Sequence, residues 1–227
     1  MIKRSGIGVL VGLLAFLGIW GSYHAIAAWT RPASVGETAN RHREDNPANK
    51  AAIDSALHLL RNGDLVLRTG ADVISVMLRQ MNLRDKTYSH CGIVMIEDGY
   101  PFIYHSIGGE DNPDERLRRD SAAFFFSPIY NERMGIARLD LTAEQIGQLD
   151  TIVRRYYTAR IPFDLDFDMA TDDKLYCAEF VYKAIHESTG DTSYFDQSHL
   201  LDRSYVGVDN LTDRRHAKII CDVRYKL

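Results

Sequence analysis

Leu175-Tyr176-Cys177-Ala178-Glu179-Phe180-Val181-Tyr182-Lys183-Ala184-Ile185 places a cysteine where a helix should begin. Ala178, Val181, Tyr182 and Ile185 recur at i, i+3, i+4 and i+7, the apolar face of an amphipathic helix. Asp172 and Asp173 stand upstream as candidate N-capping acids. A helix N-terminus carries roughly half a positive charge, which favours a thiolate and lowers the thiol pKa. Free cysteines are also among the most buried residues and fill space as small hydrophobes. Taken alone, Cys177 is therefore divided between packing and chemistry.

A histidine in matching context tips that balance. In Ser89-His90-Cys91-Gly92-Ile93-Val94-Met95-Ile96 an imidazole opens a buried, β-branched strand. A second stands in Ile103-Tyr104-His105-Ser106, one strand further on, and the turn Glu97-Asp98-Gly99 predicts a hairpin between them. Adjacent antiparallel strands can bring residues 90 and 105 together on one face. A cysteine nucleophile needs a base and a third group that orients the base. Cys177, His90 and His105 are the candidate catalytic residues, with His105 accepting from the Nδ1–H of His90. Tyr88 and Tyr176 flank the two catalytic positions and are candidates for shaping the substrate pocket or donating to an oxyanion. Asp164, Phe167 and Asp168 read either as lining of a substrate groove or as caps and staples of the cysteine helix, with the structural role favoured, and Glu179 as a partner in a buried hydrogen bond to a neighbouring loop.

Around these motifs the pattern predicts helices at 48–61, 73–81 and 142–157, the last with Thr142-Ala143-Glu144-Gln145 in capping-box form. Short strands are predicted at 65–67, 91–96, 102–105, 136–139 and 218–223. Residues 108–119 read as a polar loop and 161–174 as irregular and acidic. The mixture of helices with hairpin-connected strands predicts an α+β domain, an antiparallel sheet packed against helices.

The 227 residues suffice for one domain and an appendage. A 45% hydrophobic and 26% charged composition belongs to a folded chain. The net charge of −4 speaks against a nucleic-acid partner. Basic clusters such as Arg116-Leu117-Arg118-Arg119 have acids beside them and read as solvated surface. Lys3 and Arg4 precede a charge-free run from Ser5 to Thr30, which predicts a signal peptide or membrane anchor over residues 1–28. A polar linker over 29–46 and a single domain over 47–227 follow. Both forms of the N-terminus export the domain to the periplasm or to the periplasmic face of the inner membrane, with membrane association through residues 5–28. Three cysteines leave at least one free thiol, and pairing of Cys91 with Cys221 stays open. The absence of C-x-x-C spacing speaks against a structural zinc site, and no cofactor is indicated.

Asn62-Gly63-Asp64-Leu65-Val66-Leu67-Arg68, Tyr88-Ser89-His90-Cys91-Gly92-Ile93-Val94 and Tyr176-Cys177-Ala178-Glu179-Phe180-Val181 together resemble the permuted papain-like amidases of the YaeF/YiiX type, within the NlpC-related cysteine peptidase superfamily. The resemblance covers about residues 60–190. Ordinary papain-like enzymes place the cysteine helix before the histidine strand; the permuted group reverses that order, as does this chain. The resemblance implies a thiol nucleophile at Cys177, a base at His90 and a third polar residue at position 105. Some members carry glutamate there, whereas histidine is similar to the lecithin:retinol acyltransferase branch. The implied activity is an exported cysteine hydrolase that cleaves an amide or ester acyl bond through a thioester. Its substrate would be an envelope peptide, a lipid or an acyl-amide. The alternatives are a thiol acyltransferase or phospholipase, and a non-catalytic envelope-binding domain.

Overall fold

A six-stranded, fully antiparallel sheet organises the chain, in the spatial order β4-β3-β2-β1-β5-β8. The structure is a computed structural model that describes residues 35–108, 112, 114–200 and 203–227. In chain order the elements are α1 (Val35–Asp45), α2 (Pro47–Leu57), β1 (Leu65–Gly70) and α3 (Val73–Leu78), which a short 3₁₀ turn (Arg79–Met81) extends. There follow β2 (His90–Glu97), β3 (Tyr100–His105), β4 (Arg118–Ser121), α4 (Ala122–Phe125), β5 (Asn131–Leu139), α5 (Ala143–Thr158) and α6 (Cys177–Thr189). The chain closes with a small hairpin of β6 (Ser198–Leu200) and β7 (Arg203–Tyr205), then α7 (Val208–Leu211) and β8 (Ala217–Arg224). The mixed α+β architecture expected from the sequence is present.

Both faces of the sheet are covered, and β2 alternates between them. Cys91, Ile93 and Met95 join Leu65, Leu67 and Tyr104 in a core under α5 and α6. Val94 joins Val66, Ile103, Met134 and Ile136 in a second core closed by Ala56 of α2 and Phe125 of α4. Burial of alternate residues on opposite faces is the period-2 geometry of a strand. It explains why β2 reads as a near-continuous apolar run. The β2–β3 turn holds Asp98 at φ 49° and Gly99 at φ 83°, the left-handed pair that a tight hairpin turn demands.

Several boundaries differ from the sequence expectation. Arg118–Ser121 is a strand rather than loop, because edge pairing to β3 (His105 opposite Arg118, Ile103 opposite Asp120) satisfies its backbone. Residues 35–45, expected as part of a linker, are helical. Asn46 caps the next helix by accepting from the Ala48 N–H at 3.0 Å, with Pro47 in the first turn. Arg43 is buried and its Nε donates to the Pro128 carbonyl, and residues 40–227 form one compact unit. The folded unit thus starts before residue 47. The expected signal peptide or anchor over 1–28 lies outside the described residues. Among the described residues no helix is long and apolar enough to cross a membrane. The three cysteines are free. Cys91 on β2 and Cys221 on β8 are separated by β1 and β5, roughly 14 Å at about 4.8 Å per strand, so they cannot pair without rebuilding the sheet.

Gly92 is the packing point between β2 and β3. A Cβ there would stand 2.7 Å from Ile103 Cγ2, 2.8 Å from the Tyr104 carbonyl oxygen and 3.0 Å from His105 Cβ. Gly92→Ala should therefore destabilise the domain by about 1–3 kcal/mol through overpacking, measured by urea unfolding. An unchanged midpoint would mean that β3 does not lie this close.

Candidate active site

The end of β2 carries a hydrogen-bonded chain of three side chains. His90 Nε2 and His105 Nδ1 are 2.9 Å apart, and His105 Nε2 is 3.0 Å from Asp120 Oδ2. Arg118 donates to the other carboxylate oxygen at 2.8 Å. Both imidazoles are buried and pack against Phe125, with ring centroids 5.7 Å (His90) and 5.2 Å (His105) away.

The polarity of this chain follows from its far end. Burial opposes ionisation of Asp120, but hydrogen bonds from His105 and Arg118 outweigh it and hold the carboxyl below its usual range. An ionised carboxylate only accepts, so His105 carries its proton on Nε2. Burial also holds His105 neutral, with its pKa lowered to about 4, which leaves its Nδ1 bare as an acceptor. His90 must then donate from Nε2. Its own pKa is lowered by burial, and further by Arg68 and His105. A neutral His90 with Nε2 protonated has a free lone pair on Nδ1, the state a general base requires. The sequence expectation had the two histidine nitrogens reversed; the observed Nε2–Nδ1 contact corrects it.

Cys177 begins α6 and is buried at 8% exposure. Its thiol partner is Cys91, one residue along β2 from the expected His90. Strand alternation explains the difference. Cys91 points into the core under α6, whereas His90 points to the face that Phe125 covers. The two constellations meet at the His90–Cys91 step. Arg68, which pairs with His90 in β1, exerts its positive charge on both His90 and Cys177. The Cys177 thiol is lowered chiefly by the hydrogen bond from Cys91. Burial opposes that shift, while the Ala178 N–H, the Cys91 backbone and Arg68 reinforce it. The Cys91 thiol is pushed up by burial and by its bond to Cys177. A neutral His90 means that an imidazolium is not what lowers the thiol.

The helix start is built differently from the expectation. Glu179, not Asp172 or Asp173, receives the Tyr176 N–H at 3.2 Å, while Asp172 pairs with Lys183 at 2.6 Å. Glu179 is fully buried, and burial lifts it to about 7 against the pull of Lys183 at 2.9 Å. Asp164 accepts the N–H groups of Asp166 and Asp168, so it shapes its own loop rather than capping the cysteine helix. The two tyrosines proposed for the pocket are committed elsewhere. Tyr88 donates to Asp222 at 2.8 Å and lies over Gly135. Tyr176 Oη accepts the Val206 N–H at 2.8 Å and its ring packs on Phe167. Asp120, Arg68, Phe125 and the pairing role of Cys91 were not anticipated. Asp120 was hidden in the polar run 116–120, and only its pairing opposite Ile103 places it beside His105. An open cavity of about 500 Å³ adjoins this carboxylate end, lined by Arg116, Arg118, Arg119, Asp120, Tyr157 and Arg160 among others.

No family model and no curated protein matches the chain. Five chains of solved structures do. One is a crystal structure of the metalloprotein YiiX from Escherichia coli O157:H7, of the DUF1105 group. It is 18% identical with a TM-score of 0.60, over 72% of this chain and 98% of that one. At this identity the likeness is one of fold. In this fold His90 Nε2 faces His105 Nδ1 and His105 Nε2 faces Asp120. Among the described residues, no three His, Cys, Asp or Glu side chains gather into an ion site.

Two expectations follow. Replacing Cys91 by valine removes the donor that lowers Cys177, so the pH midpoint for alkylation of Cys177 should move upward; an unmoved midpoint would leave the helix N-terminus and Arg68 as sufficient causes. The second concerns acid stability. His105 is protonated near pH 4 in the fold but near 6.5 when unfolded, so its contribution is complete above 6.5 and is lost as pH falls toward 4. The full shift is worth about 3 kcal/mol. Glu179, raised to about 7, works in the opposite sense, losing its contribution as pH rises. The test is therefore the difference between wild type and His105→Gln. Between pH 7 and 5 the wild type should lose about 2 kcal/mol more stability than the variant, and equal losses would show that His105 is not held neutral.

Proposed function

We propose that the protein is a thiol-dependent acyl hydrolase of permuted papain-like fold, with Cys177 as nucleophile, His90 as general base, and His105 and Asp120 holding the base in its working tautomer. The observation that carries this reading is the polarity of the Asp120–His105–His90 chain, which frees the His90 Nδ1 lone pair. A hydrogen-bonded run of two neutral imidazoles ending on an ion-paired carboxylate is a costly thing to bury, and a general base is what it is built to hold.

In the proposed cycle the Cys177 proton reaches His90 Nδ1 around the end of β2 through solvent, because the two side chains rest on opposite faces of that strand. The sulfur attacks the acyl carbonyl, and backbone N–H groups at the start of α6 receive the developing oxyanion. His90 returns the proton to the departing amine or alcohol, leaving a thioester. A water, deprotonated by His90, then releases the carboxylic acid and restores the thiol. Lys3-Arg4 and the following charge-free run support export, which makes an envelope peptide or lipid-linked acyl group the substrate class.

Turnover of a p-nitrophenyl acyl ester, with intact-mass detection of the acyl-enzyme, tests this. Cys177→Ser should abolish both signals, and His90→Ala should lower kcat/KM by about 10²–10⁴-fold. Asp120→Asn should act through the tautomer: its amide can donate to His105, reversing the chain and blocking His90 Nδ1, so kcat should fall with little change in KM. Acylation of Cys177→Ser to the wild-type level would overturn the assignment.

A further inference from the structure

We infer that Cys91 and Cys177 form an oxidative modification site, in which Cys91 resolves the sulfenic acid produced when a peroxide oxidises Cys177. The hydrolytic cycle uses Cys177 and leaves Cys91 without a task, yet the structure sets the two side chains against each other. Cys91 projects from β2 and Cys177 from the first residue of α6 into one shared core, at 0% and 8% exposure. Each is the other's thiol partner. Cys221, on β8, is three strands away from β2 in the sheet order and is excluded from this chemistry by distance.

The reactivities are also divided as the chemistry needs. The attacking thiolate must be the accessible, acidic one, and that is Cys177, which has the residual exposure and the helix start. The resolving thiol can remain protonated until used, and Cys91 is the fully buried one. The steps balance. The Cys177 thiolate attacks one oxygen of hydrogen peroxide, the O–O bond breaks, and sulfenic acid and hydroxide form. The Cys91 sulfur then attacks the Cys177 sulfur, the S–O bond breaks, and the Cys91 proton leaves with that oxygen as water. Two thiols have lost two electrons to one peroxide, and the nucleophile is stored as a disulfide that a dithiol can reopen.

The inference rests on Cys177 being a reactive thiol and requires no acyl substrate. The test treats the full chain with hydrogen peroxide and reads intact mass and a peptide map without reduction. Expected in the wild type is the loss of two hydrogens, a cross-linked peptide joining residues 91 and 177, and full recovery of free thiols with dithiothreitol. Cys91→Ala and Cys91→Val should instead gain oxygen at Cys177 in a form that dithiothreitol does not reverse. Two variants are used because one alters core volume downward and the other upward, and circular dichroism identifies any that fails to fold. Oxidation of wild-type Cys177 to the sulfinic state with Cys91 still free would overturn the inference, as would absence of oxidation at either residue. A wild type that forms the disulfide but, once reduced, hydrolyses no acyl ester would keep the inference and sink the hydrolase reading.

Discussion

Burial of β2 on both faces is the constraint from which the rest of the site follows. A central strand between two cores must send successive side chains to opposite sides. His90 therefore goes to the face closed by Phe125, and Cys91 to the face closed by α6. Neither residue can change side without moving every other residue of the strand out of its core. The site is assembled around the strand's end: relay on one face, thiol on the other, and Arg68 on the neighbouring strand acting on both.

Electrostatics in the relay is governed by a single charge. Asp120 is only partly shielded and is held by Arg118; the two imidazoles behind it are buried and neutral. Since a buried neutral imidazole has one donor and one acceptor, the carboxylate at one end dictates the proton position at the other. Gly92 permits this. A side chain there would collide with His105, so the close approach of β3 and the short His90–His105 contact share one steric cause. On the thiol side the controlling contact is Cys91, and the internal acid of α6, Glu179, serves the helix start and Lys183 rather than the sulfur.

Much of the fold was legible in the chain. The hairpin turn at 97–99 and the Thr142 capping box are local signals, and both are present, the latter with the Gln145 N–H donating to Thr142 Oγ1 at 3.2 Å. The edge strand 118–121 was not legible, because its four residues Arg-Arg-Asp-Ser are polar throughout and its strand state comes only from pairing with β3. Likewise Tyr88 and Tyr176 looked like pocket residues by sequence adjacency to His90 and Cys177. Their long side chains reach Asp222 and Val206, partners that no local spacing could indicate.

By itself the amino-acid sequence determined the pieces: a cysteine at a helix start, a histidine at a strand start, a second histidine across a tight turn, and an α+β arrangement to hold them. These are properties of short segments, where periodicity and turn chemistry act within a few residues. Which group faces which was decided by tertiary structure alone. Cys177 meets Cys91, and Asp120 rather than a nearer acid closes the relay, because register and strand alternation depend on how distant strands pack. A one-residue difference along β2 exchanges an imidazole for a thiol.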